Sequence, residues 1–358
     1  MPACKLVYDE KYFLPIGSHV FPARKYTLVH DRLLSSGVAA PQDFVAPLPA
    51  SDADVLRVHW AEYVERLRTG TLSLRQQQQL EVPYSPELVD AFWLHAGGSV
   101  LAAELALQDG IAINLGGGFH HAFPDHGEGF CMIHDVAIAI RRLHADGKLR
   151  HAMVVDCDVH HGNGTAAIFP SDAGNPANES GSSSRREAST PPAPVLPSVG
   201  PNVLGRSASQ PHPPSGRSTH QYASPLEVFT ISLHQENNYP AWKPPSSIDV
   251  DLPDGIGDEQ YLAWLDNALS SGLRKFEPEL LCYIAGADPY REDQLGGLAL
   301  TMEGLKRRDA LLFRVAHTRG IPVMVTFAGG YAINVEDTVT IHCNTVVAAQ
   351  ETWGNSGS

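Results

Sequence analysis

Residues 151–164 read HAMVVDCDVHHGNG, and this stretch decides the fold. The apolar run Ala152–Val155 leads straight into Asp156, Asp158 and His160, and then into a glycine-rich turn. Such a run, ending in charge, reads as a buried strand that delivers polar side chains at its carboxyl end. The pattern recurs along the chain. Apolar runs at Ile111–Leu115, Ala152–Asp158, Val228–Leu233, Leu280–Ala285 and Ile321–Phe327 lead into GGGFHH, CDVHHGNG, HQENNYP, GADPY and AGGY. Amphipathic helices lie between several of them. Glu259 to Lys275 places Tyr261, Leu262, Leu265, Leu269 and Leu273 on one face, with Asp258 as the expected N-cap. Glu303 to Arg319 does the same with Leu305, Leu312 and Val315, and Gly320 supplies the stop. Alternation of helices with continuously apolar strands predicts an α/β fold, a mostly parallel sheet covered on both faces. Sites in such sheets form outside the carboxyl ends of the strands, so five polar strand ends predict one shared site.

Composition narrows the class. The 358 residues carry 26 Lys+Arg against 40 Asp+Glu, a net charge of -14, which argues against a basic nucleic-acid surface and favours basic partners. No apolar run approaches the roughly 18–20 residues of a membrane span, and MPACKLVYDEKYFLP has no secretory h-region. Five scattered cysteines with no C-x-x-C pair exclude a disulfide scaffold and fit an intracellular setting, cytoplasm or nucleus. From 173 to 223 nearly half the residues are Ser, Pro or Gly, so a disordered insertion is expected inside a single domain spanning 1–353, with a frayed tail at 354–358.

Asp156, Asp158 and His160 are spaced i, i+2, i+4, which in extended chain puts them on one face with Cys157 and Val159 opposite. Two carboxylates and an imidazole suit a divalent metal better than a core; a polar strand end is the plainer alternative. Asp288, just after LLCYIAG, could add a third ligand and leave a coordination position open for water. His120 and His121 follow three glycines and suggest a proton-transferring pair. Tyr331, after Ala328-Gly329-Gly330, could offer a hydroxyl to an oxyanion or simply pack. Phe130 and Tyr239 either wall a narrow slot or belong to the core. His126, His134, His144 and His151 read as ordinary helix and loop histidines, and His161 should point away from the ligands.

Taken in order, GGGFHHAFPDHGEGFC, VVDCDVHHGNGTAAIF, ISLHQENNYP, AGADPY and FAGGY resemble the zinc-dependent histone deacetylase superfamily, nearest its class IV-like and bacterial acetoin-utilisation branch. The resemblance spans nearly all of the chain except the insertion. It implies the arginase–deacetylase fold, with about eight strands, and one catalytic Zn2+ held by Asp158, His160 and Asp288. It implies a dyad of His120 and His121, with Asp156 on the first; Asn163 stands where many members orient the second with Asp. His121 then serves as general base, His120 acts electrostatically, and Tyr331 holds the oxyanion. It further implies a monovalent-cation site, suited to K+, from Asp156, main-chain oxygens of Asp158 and His160, Ser232 and Leu233. It implies an acyl-lysine tunnel formed by the Gly129 carbonyl, Phe130 and Tyr239, the last replacing the Phe of class I members. The expected partner is an acetylated lysine of a histone or other protein, with acetylated polyamines or small metabolites, or a silent acyl-lysine-binding scaffold, as alternatives. Asp288 is followed by Pro289 and Tyr290 with no second Asp, which weighs against a two-metal, arginase-type ureohydrolase.

Overall fold

The computed structural model describes residues 4–171 and 225–354. Eight strands form one sheet: β1 (Lys5–Val7), β2 (Phe44–Val45), β3 (Ile111–Asn114), β4 (His151–Asp156), β5 (Glu227–Gln235), β6 (Ile248–Leu252), β7 (Leu280–Ala285) and β8 (Val323–Phe327). Their order is β2-β1-β3-β8-β7-β4-β5-β6, and every pairing is parallel. All five strands read from the apolar runs are present. The sequence did not single out β1, β2 and β6, because two or three residues, or the alternating Ile248–Leu252, carry no continuous apolar run. The central strands are buried along their whole length, as both-face helical cover requires. Among the described residues no helix is long and apolar enough to cross a membrane. All five cysteines are buried and unpaired.

β4 and β7 are neighbours, but from β4 the chain winds outward to β5 and β6, whereas from β7 it winds back to β8. That reversal of winding opens a crevice at the carboxyl ends of the same strands whose polar ends were read from sequence. The helix Asp258–Lys275 buries Tyr261, Leu265, Leu269 and Leu273, with Leu262 half-buried. Gly257, not Asp258, is its N-cap. The Asp258 carboxylate instead accepts from the backbone N–H (2.8 Å) and hydroxyl (2.7 Å) of Thr301, the residue that caps the helix Met302–Thr318. That second helix buries Leu305 and Leu312 but leaves Val315 half-buried, and it buries the pair Arg308 and Asp309 completely. The expected insertion, 173–223, lies outside the described residues. The last helix, Val335–Gly354, takes in the first residue of the expected tail, and 355–358 lie outside.

Candidate active site

β4 ends at Asp156, two residues earlier than the apolar run suggested, and Asp158 and His160 ride on a succession of bends. Extended-chain alternation is therefore not what aligns them. Asp156 Oδ1 accepts from the Asp158 N–H (3.1 Å), and Asp158 Oδ1 from the His160 N–H (3.0 Å), so each carboxylate folds the chain beyond it. Asp288, on the loop after β7, is fully buried and accepts from the Val159 N–H at 2.8 Å. One ligand atom each from Asp158, His160 and Asp288 lies within 4.8 Å of the others.

The residues fit a metal. His160 Nδ1 stands 3.3 Å from Asp288 Oδ2. Two donors on one tetrahedral zinc, each at about 2.05 Å, lie about 3.3 Å apart. Asp288 Oδ2 is buried with no hydrogen-bond partner, an orphan that a cation would satisfy. Burial and the Asp158 charge push the Asp288 carboxyl up to about 7, the mark of two carboxylates confined together. Gly329 closes over the cluster. Its N–H donates to Asp158 Oδ2 at 2.8 Å, and a Cβ there would collide with Asp288 Oδ2 and come within 2.6 Å of Asp158 Oδ2.

His120 and His121 lie above the cluster with ring centroids 4.0 Å apart. Their environments drive them in opposite directions. His120 Nδ1 bonds Asp156 Oδ2 at 2.7 Å; against the cost of burial, the Asp156 and Asp158 charges raise it to about 9. His121 is held well below the imidazole range by burial and by the charges of His120 and His160. Its Nδ1 bonds Asn163 Oδ1 at 2.7 Å. The amide is fixed in that sense because Asn163 Nδ2 donates to Glu128 Oε1 at 2.6 Å. An amide oxygen only accepts, so His121 carries its proton on Nδ1 and leaves Nε2 free.

A cleft of about 200 Å³ descends to His121 and His160 between Gly129, Phe130, Tyr239, Leu295 and Tyr331. The tunnel residues named from sequence are thus brought together. Gly129 has φ 54°, and a Cβ there would meet His121 Cδ2 at 2.8 Å, so only glycine fits. Tyr331 is buried and kept neutral, its phenol pushed far up by burial and by Asp158 and Asp288. Asp156 and Ser232 are register partners on β4 and β5, with Leu233 buried next to them. His161 lines neither this cleft nor the smaller cavity beneath it.

Four further residues support the site and were not singled out in the sequence. Glu128 fixes Asn163; its place in GEGF, beside Gly129, was the available signal. Asp293 Oδ2 accepts from the Tyr331 N–H at 2.6 Å. Lys25 is fully buried and donates to the Ala328 carbonyl. Arg308 is fully buried and donates to the carbonyls of Gly286 (2.7 Å) and Cys157 (3.3 Å). Nothing local in sequence marks the last two, because a Lys or Arg in a helix reads as solvent-facing.

Fold and cluster define a class: parallel α/β proteins of the arginase–deacetylase type, with a buried Asp-His-Asp set beneath a histidine pair. The chain belongs to the histone deacetylase family, whose domain profile matches residues 19–175 and 216–346. It is 34% identical over 349 residues to an uncharacterized protein of Picosynechococcus sp., covering 97% of this chain and 99% of that one. It is 28% identical to histone deacetylase 2 of Arabidopsis thaliana over 91% of this chain and 74% of that protein. Among solved structures it resembles the HDA15 HD domain, with a TM-score of 0.70 at 20% identity over 100% of this chain and 90% of that one. Membership supports a hydrolase of the deacetylase kind.

Proposed function

We propose that the chain hydrolyses the acetyl amide of N-acetyl-lysine in histones or other proteins. One observation carries this reading: a narrow cleft ends on an Asp-His-Asp donor set, a histidine pair of opposed proton affinity and a neutral phenol. Asp158, His160 and Asp288 would hold Zn2+, which when bound polarises the acetyl carbonyl and acidifies a water molecule.

The chain's own residues supply the rest. Phe130 and Tyr239 orient the alkyl chain, and the Gly129 carbonyl receives the amide N–H. His121 Nε2, kept unprotonated, takes the proton of the attacking water and passes it to the leaving amine. His120, kept charged by Asp156, stabilises negative charge without exchanging a proton. The Tyr331 hydroxyl donates to the tetrahedral oxyanion. Asp156, Ser232 and Leu233, with main-chain oxygens of Asp158 and His160, would hold a monovalent cation beneath.

Acetate release from an acetyl-lysine peptide, with and without chelator and alongside His121→Ala, tests the reading. Chelator-sensitive turnover lost in the variant supports it; no turnover by folded, zinc-loaded protein overturns it. A second reading, deacetylation of an acetylated polyamine, is favoured by Glu81, which lines the cleft and could receive a substrate ammonium. Acetylspermidine turned over faster than the peptide would select it.

A further inference from the structure

β5 and β6 carry a second cluster of metal-binding side chains. His161, on the loop after β4, and His234, near the end of β5, are both buried, with ring centroids 4.5 Å apart. Asp249 and Asp251 project from the edge strand β6, where Ser232 pairs with Asp249 and His234 with Asp251. One ligand atom each from His161, His234 and Asp249 lies within 4.8 Å of the others.

The hydrogen bonding of this group is incomplete in an informative way. His161 is fully buried, and neither ring nitrogen has a hydrogen-bond partner. Its Nε2 stands 3.3 Å from Asp249 Oδ1 and His234 Nε2 stands 2.9 Å from Asp251 Oδ1, yet neither contact has the direction of a hydrogen bond. His234 Nδ1 is engaged by the Ser232 hydroxyl at 3.0 Å, which leaves Nε2 as its free donor atom. Imidazole and carboxylate that come close without aiming at each other are placed as ligands of a shared third atom are. The 3.3 Å spacing matches the edge of a zinc tetrahedron, as it does between His160 and Asp288. A nitrogen outside a carboxylate's reach of alignment, buried and unpaired, is costly unless something else satisfies it.

We propose that His161, His234 and Asp249 form a second metal site, specific for a zinc-class transition dication, with a fourth position left to water. Two imidazoles with a carboxylate are the donor set of zinc, cobalt and iron(II) rather than of calcium or magnesium, which take oxygen cages. The aspartates are part-exposed, 26% for Asp249 and 58% for Asp251, so the ion reaches the site from the open sheet edge. Consecutive residues then serve two metals: His160 faces the cleft and His161 the edge. A bound ion would fasten β6 to the loop that carries the catalytic ligands. This site stands on its own residues and does not depend on the deacetylase reading.

The test uses tag-free, full-length protein, stripped with chelator and titrated with Zn2+ or Co2+, with elemental analysis and the visible absorption of bound Co(II) as readouts. Wild type should bind two equivalents. His161→Gln and Asp249→Asn should each bind one, as should Asp288→Asn, and the Asp249→Asn/Asp288→Asn pair none. The zinc-dependent rise in Tm that persists in Asp288→Asn should vanish in the pair. Asp249 is part-exposed on an edge strand, so its variant decides the matter even where His161→Gln fails to fold. A single equivalent in wild type, or a second equivalent retained by Asp249→Asn with affinity within twofold of wild type, overturns the proposal.

Discussion

The contact that sets the proton position of His121 can be reversed. Asn163 accepts from His121 and donates to Glu128 at 2.6 Å, so Asn163→Asp puts two carboxylate oxygens at that separation. Glu128 is mostly shielded, with its side chain 20% exposed. The substitution forfeits a charged hydrogen bond worth about 1.5–3 kcal/mol and adds like-charge repulsion, so a loss of about 2–4 kcal/mol is expected. Adding Glu128→Gln restores complementarity: the Gln amide donates where Asn163 donated before, and the introduced carboxylate still accepts from His121. The coupling in a double-mutant cycle should be about 2 kcal/mol. Activity should follow stability in the single variant. In both variants that carry Asn163→Asp a carboxylate now backs His121, raising its proton affinity, so the acidic limb of kcat/KM moves to higher pH. Denaturant unfolding of the four proteins and pH–rate profiles on an acetyl-lysine peptide measure both. Coupling below about 0.3 kcal/mol, with an unmoved acidic limb, would refute the claim that Glu128 orients Asn163 for His121.

Tyr331→Phe should lower kcat by about 100- to 1000-fold with little change in KM, since the hydroxyl acts only on the developing oxyanion; a KM effect of that size would assign it to binding instead. Asp288→Asn should raise Tm above that of wild type in chelator at pH 8, because it removes one of two confined carboxylates, and the order should invert in zinc; the same order in both conditions would remove Asp288 from the metal. Burial holds His95 at about 3 and His59 at about 4 in the folded protein, so the unfolded chain binds more protons once pH drops below about 6.5. Stability is then fully present above that pH and falls by about 1.4 kcal/mol per pH unit for each histidine below it; denaturant midpoints unchanged between pH 6 and 5 would contradict this.

Much of this was legible in sequence because apolar runs and strand ends are local signals. The five strands and their polar ends follow from runs of a few residues, and so do Asp158, His160 and Asp288, which the fold brings together. Where the reading failed, the cause was tertiary. Asp258 looked like a cap for its own helix, but the neighbouring helix start is near enough to take its carboxylate. Arg308 and Asp309 occupy a buried helix face that periodicity assigned to Val315, because a charge that finds its partner in the core looks, in sequence, like a charge facing water. His161 was read as pointing away from the ligands, and it does, but what it meets there depends on Asp249 of an edge strand too weakly apolar to be seen.

The buried cations explain how so acidic a centre keeps its shape. Asp156, Asp158 and Asp288 are all but excluded from water, and confined carboxylates repel. Three cations are set against them, each bound to the chain that presents the site. His120 bonds Asp156 directly. Lys25 holds the Ala328 carbonyl, just before Gly329 closes over the ligands, and burial brings it down to about 8 even though Asp288, Asp158 and Asp293 support its charge. Arg308 grips the carbonyls of Cys157 and Gly286, beside the two ligand-bearing turns. Its own charge is matched by Asp309, which in turn receives the hydroxyls of Tyr283 (2.5 Å) and Thr345 (2.6 Å). Apolar residues in place of Lys25 or Arg308 would pack, but they would orphan the carbonyls that fix the loops after β4, β7 and β8. The loops that present Asp158, His160, Asp288 and Tyr331 are thereby tied to buried charge rather than left to their own short turns.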